Sequence, residues 1–127
     1  MIYNTEYLKK IADSLNDGYI KMPGLDMKYY FVFRGNVYAI STVDITHGNK
    51  RLKYIYPKYE TMIFPTRQTH GVFEMDTLEI CCFKYFTEQE AIQGHKKIIQ
   101  DLYNGTATYF YEAVNDYEER EYRDLED

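Results

Sequence analysis

Apolar positions along this chain follow two periods, one helical and one strand-like. Between Asn4 and Asn16, Leu8, Ile11, Ala12 and Leu15 recur at i, i+3, i+4 and i+7, with Lys9, Lys10 and Asp13 on the other face. That spacing predicts a short amphipathic helix, capped by Asn4 or Thr5 and stopped by Gly18 in a left-handed conformation. After the Pro23-Gly24 turn signal the period drops to two. Tyr29 to Phe33 is aromatic and β-branched, which favours a strand. Val37 to Ile45 alternates: Val37, Ala39, Ser41 and Val43 share one face, and Tyr38, Ile40, Thr42 and Asp44 the other. Arg34-Gly35-Asn36 reads as the tight turn between them, so the two runs predict a β-hairpin.

His47-Gly48-Asn49-Lys50 is a further turn signal. Arg51 to Tyr56 alternates charged and apolar residues and is expected as a third strand, interrupted by Pro57, which cannot donate to a ladder. Tyr59 to Phe64 resumes as a strand that Pro65 ends, and its Met62-Ile63-Phe64 run suits burial on both faces. Thr66 to Thr77 is polar and reads as a loop or a loose hairpin connection, long for a compact domain. Leu78 to Phe86 is the next strand, expected antiparallel to the Tyr59 strand.

The helix over about 88–104 carries the clearest end signals. Thr87 and Glu90 form the T-x-x-E pattern of a capping box, Phe86 precedes them as a staple for Ala91, and Gly105 stands where a left-handed C-cap belongs. Ala91, Ile92, His95, Ile98, Ile99 and Leu102 make one apolar stripe. Gly94 on its rim costs roughly 1 kcal/mol against alanine, which predicts a ring or strand backbone packed closely against it. Thr106 to Val114 is open between a last strand and the start of a helix. Asp116 to Glu126 has helix-forming composition. These elements predict an α+β fold: an antiparallel sheet of four or five strands, the Glu88 helix on one face, and the Asn4 helix beside it or at the sheet's end.

At 127 residues with no linker or repeat, the chain is expected as one domain, 1–127, with an acidic segment at 112–127. The net charge of −5 is uneven: the eight acidic residues from Glu112 to Asp127, against Arg120 and Arg123, give that segment −6 and leave the rest at +1. An acidic end is solvated, mimics phosphates, or docks on a basic partner, and it argues against direct nucleic-acid binding. With 15 Tyr, 7 Phe and no Trp, the aromatic content suits half-exposed sheets and contact surfaces. The two cysteines, Cys81 and Cys82, are adjacent and point to opposite faces of a strand, so they form no disulfide framework. The absence of an h-region or long apolar run predicts a soluble protein without signal or transmembrane segment.

Candidate chemistry is sparse. His95 falls on the buried helix stripe, where it is either a hydrogen-bonded structural residue or the centre of a small-ligand pocket. His47 and His70 lie in expected loops, with no H-x-x-x-H or C-x-x-C spacing to make a metal site. Glu60 and Glu79, on neighbouring strands, either face each other for acid–base work, or point to solvent or pair with Lys58 and Lys84. Lys50, Arg51 and Lys53 beside Tyr54 and Tyr56 have the basic-plus-aromatic character of a strand-binding surface. Tyr117, Glu118 and Glu119 are the binding candidates of the acidic segment. No nucleotide-binding, nucleophile-elbow or metal-loop motif is present, so neither catalysis nor a cofactor is expected.

Two strings, YETMIFP and KYFTEQEAIQGHKKII, together resemble a group of small tailed-bacteriophage proteins. The matching positions are Tyr59, Glu60, Thr61, Met62, Phe64, Tyr85, Thr87, Glu90, Ala91, Gly94 and His95. The group has no common assigned activity. The resemblance implies a phage or prophage origin and a setting in the bacterial host's cytoplasm. Three functional expectations follow: an accessory protein that binds and inhibits a host defence protein, a virion or assembly component that forms a symmetric oligomer, and a small-ligand binder centred on His95.

Overall fold

The computed structural model describes residues 5–18, 24–46, 49–52, 54–69, 72–76 and 78–126, without the side chains of 68, 69, 72, 73 and 122–126. The expectations for Asn4, Pro23, His47, Lys53 and His70 lie outside the described residues. Helix α1 (Thr5–Asp17) is followed by strands β1 (Asp26–Phe33), β2 (Asn36–Asp44), β3 (Tyr59–Thr69), β4 (Val72–Met75) and β5 (Cys81–Tyr85), then helices α2 (Glu88–Asn104) and α3 (Thr108–Glu126). All strand pairings are antiparallel, in the order β1-β2-β3-β4, with β5 also on β3. The fold is α+β.

β1 and β2 form the expected hairpin. Arg34 and Gly35 both have positive φ, 48° and 73°, the geometry of a two-residue type I′ turn whose twist matches the strands it joins. The two-residue period then sorts the side chains. Tyr29, Phe31, Phe33, Tyr38, Ile40 and Ile63 face α2 and α3, packing with Ile98, Leu102, Phe110 and Val114. Phe110 is fully buried, its ring edge-on to Phe33 and Tyr38 at 5.1 Å each. Tyr30, Val32 and Val37 face the other way and pack with Leu8 and Ala12 of α1. The helices therefore sandwich the hairpin, which is why nearly every β2 residue is buried. This corrects the expected position of α1: it covers the opposite face, where the second apolar set of β1 and β2 needs a cover. Gly18 does not adopt positive φ; its N–H continues the helix to Ser14.

The middle of the chain departs most from the sequence pattern. The described residues among 51–56 form no third strand. Asn49 caps a 3-10 turn at Lys50–Leu52, its side-chain oxygen accepting the Arg51 N–H at 3.0 Å. A side-chain acceptor at that point closes the backbone into a turn before it can extend. β3 runs past its expected end at Pro65 to Thr69, and 72–75 pairs back on it, so of the two readings of the polar stretch the hairpin holds. Pro65 is tolerated because its carbonyl, and with it the missing N–H, faces the β4–β5 side, where Asp76 N–H reaches it. Thr66 pairs with Met75 and Ile63 with Cys81, three steps on β3 against six on the facing chain. Three extra residues thus bulge out ahead of β5, which starts at Cys81 rather than Leu78.

The ends of α2 match their signals. Thr87 Oγ1 accepts the Glu90 N–H at 3.1 Å, and Gly105 takes φ 72° with its N–H on the Asp101 carbonyl. The Asp101 carboxylate also accepts from Thr106 and Tyr109, both at 3.1 Å, which fixes the turn into α3. α3 is one helix through 108–126; it resolves the open reading of 106–114 and adds a long second helix to the sheet's main face.

Candidate functional site

The sequence candidates fall into three separate places. The first is internal. His95, 3% exposed, points from α2 into the sheet, with Nδ1 2.7 Å from Thr42 Oγ1. Thr42 and Thr61 are direct cross-strand partners on β2 and β3, and their hydroxyl oxygens lie 2.6 Å apart. Thr61 donates to the Tyr85 hydroxyl at 3.1 Å. Each threonine hydroxyl has one proton. With Thr61 donating to Tyr85, Thr42 donates to Thr61, and His95 Nδ1 carries the hydrogen given to Thr42. Burial holds the imidazole at a pKa of about 4, so it is neutral at physiological pH.

Gly94 makes this arrangement possible. A β-carbon there would lie 2.5 Å from Cε1 and Cζ of Tyr85. The bare backbone of Gly94 lets the ring lie on α2 and its hydroxyl reach Thr61. The ring that the mid-helix glycine predicted is therefore Tyr85. Gly94, His95, Thr61 and Tyr85, all in the strings YETMIFP and KYFTEQEAIQGHKKII, build one polar thread. Thr42 completes it from outside, and no local signal links it to His95. A cavity of about 250 Å3 beside the thread is lined by Phe83, Tyr85, Gly94, Lys97, Ile98, Asp101 and Tyr109, but not by His95.

The second place is the loop entering β3. Tyr54 and Tyr56 are 85% and 72% exposed, and Phe86 at the head of α2 is 54% exposed. The Tyr56 and Phe86 rings lie 4.9 Å apart, across a cis Tyr56–Pro57 bond. Phe86 thus leans on Tyr56 at the surface. Lys50 and Arg51 are exposed in the same loop.

The third place is α3. Tyr117 is half-buried beside Arg67 and Asp76, and its hydroxyl is pushed up by burial first, then by Glu121 and Asp76. Glu118 and Glu119 are exposed; Glu118 pairs with Arg34 at 3.5 Å and Glu119 lines an acidic groove with Glu112 and Asp116. Arg67 bridges Asp76 at 3.0 Å and Glu121 at 3.7 Å. Through residue 121 the acidic segment is a helix partly held by sheet arginines. Tyr56 precedes the start of β3 and Tyr117 sits by Arg67, eight residues along that strand, roughly 27 Å away at strand rise. The binding candidates therefore do not form one site.

Glu60 lies directly across from Lys84, and its carboxyl is pushed up by burial, with Lys84 opposing and Glu79 adding to the rise. Among the described residues, no group of three or more His, Cys, Asp or Glu side chains could hold a metal ion, and no helix is long and apolar enough to cross a membrane. No family model, curated protein or solved structure matches the chain.

Proposed function

We propose that the protein acts by binding another protein, as a phage-encoded accessory factor that inhibits a protein of the bacterial host, in the host cytoplasm. The supporting observation is the aromatic projection of Tyr54, Tyr56 and Phe86, rings exposed by half or more on the loop entering β3 and the head of α2. Large rings with polar tips supply contact area at low entropy cost and dominate the energetics of protein interfaces. The resemblance of YETMIFP and KYFTEQEAIQGHKKII to tailed-phage proteins supplies the biological setting. The buried, neutral His95 fits a part in holding the surface in shape rather than in reacting.

The test is a pull-down from host lysate with the wild-type protein and the Tyr54→Ala/Tyr56→Ala double variant. The expected result is a stoichiometric host protein retained by the wild type and weakened at least about 30-fold in the variant, or about 2 kcal/mol. Equal recovery by both proteins would move the interface elsewhere, and no stoichiometric host partner would end the reading.

A further inference from the structure

The two ends of the sheet are finished differently. At β1, Asn16 of α1 folds over the open edge: its Oδ1 accepts the Tyr30 N–H at 2.7 Å and its Nδ2 donates to the Tyr30 carbonyl at 3.3 Å. That amide imitates a neighbouring strand and blocks strand addition there. β5 has no such cover among the described residues; its one strand partner is β3. The Lys58 carbonyl accepts from Ile45 on the β2 side, so the odd-numbered residues of β3 address β5. Consequently the N–H and C=O groups of Cys82 and Lys84 point away from the sheet. Both residues are exposed, and Leu78 and Phe86, 71% and 54% exposed, flank them.

We propose that β5 is a self-association edge, on which β5 of a second copy pairs antiparallel about a two-fold axis at Phe83. In that register Cys82 faces Lys84 of the other copy twice over, and each such pair exchanges two backbone hydrogen bonds. Charge selects this register. Glu79 lies close enough to Cys82 to raise its thiol pKa together with Glu60, after burial. Lys84 opposite the second copy's Cys82 therefore comes within electrostatic reach of that copy's Glu79, and symmetry gives the attraction twice. Sliding by two residues so that Lys84 faces Lys84 would instead set like charges together. Phe83 of each copy meets its equivalent on the face that carries the apolar cavity between β5 and α2. The edge adjoins the Tyr54–Tyr56 surface at Phe86, but pairing through Cys82 and Lys84 does not rest on the host-binding reading.

Sedimentation equilibrium of the full chain across the micromolar range tests this, with circular dichroism as a folding control. The wild type is expected to be a dimer. Glu79→Lys and Lys84→Glu should each weaken it about tenfold or more, and the double variant, with the charges exchanged, should restore it. Lys84→Pro removes an outward N–H that the fold does not use and should give a folded monomer. A wild-type monomer throughout the range, or a dimer indifferent to Lys84→Pro and both charge reversals, would overturn the proposal.

Discussion

The polar thread under α2 makes a quantitative prediction about acid. His95 is neutral in the native state because burial holds its pKa at about 4, whereas in the unfolded chain it titrates near the ordinary value of 6.5. Between those two values the unfolded chain takes up a proton that the native protein refuses. Stability therefore falls as pH falls through that window, and above 6.5 the group contributes no pH dependence. Integrated over the gap, the loss is about 3 kcal/mol, at about 1.4 kcal/mol for each pH unit. His95→Gln removes the titration and keeps an amide that can bond Thr42. Carboxylates also destabilise the protein in acid, so the informative quantity is the difference between the two proteins. Urea unfolding from about pH 7.5 to about pH 4.5 measures it. The wild type is expected to start more stable and to lose most of that 3 kcal/mol relative to the variant. Parallel stability curves would refute the reasoning, because they would mean that the imidazole is protonated, or reaches water, in the folded state. A 15N spectrum of the wild type should also show a neutral ring with the hydrogen on Nδ1.

Two further substitutions test the packing around the thread. Gly94→Ala gains about 1 kcal/mol of helix propensity but drives a methyl into the Tyr85 ring, so a net loss of roughly 1–2 kcal/mol is expected in urea unfolding; a stabilised protein would show that the ring yields freely. Phe110→Ala empties the meeting point of β1, β2 and α3 and should cost about 3–5 kcal/mol in the same measurement; a loss below about 1 kcal/mol would mean that α3 does not anchor the core.

Much of this architecture is legible locally. The alternation of Val37 to Asp44, the Arg34-Gly35 turn and the Thr87-to-Gly105 helix with its caps rest on contacts between near neighbours in sequence, and those contacts form as the residues predict. The 66–77 stretch stayed open between loop and hairpin because its mostly polar residues carry no apolar period to mark a strand. Residues 51–56 misled: an alternating pattern did not become a strand, because Asn49 closed the turn first.

The residues alone determined that an imidazole would lie on the inner face of a glycine-bearing helix, and that the chain's acidity would gather at its C-terminal end. Only the tertiary structure decided what those features meet. Thr42 reaches His95 from 53 residues away, Tyr85 fills the space over Gly94, and Arg34 and Arg67 take up part of the acidic helix. The reason is physical: periodicity says which way a side chain points, but its partner is set by strand register, and register is a property of the assembled sheet. The same holds for the two sheet edges, which look alike along the chain until Asn16 folds over one of them and leaves the other exposed.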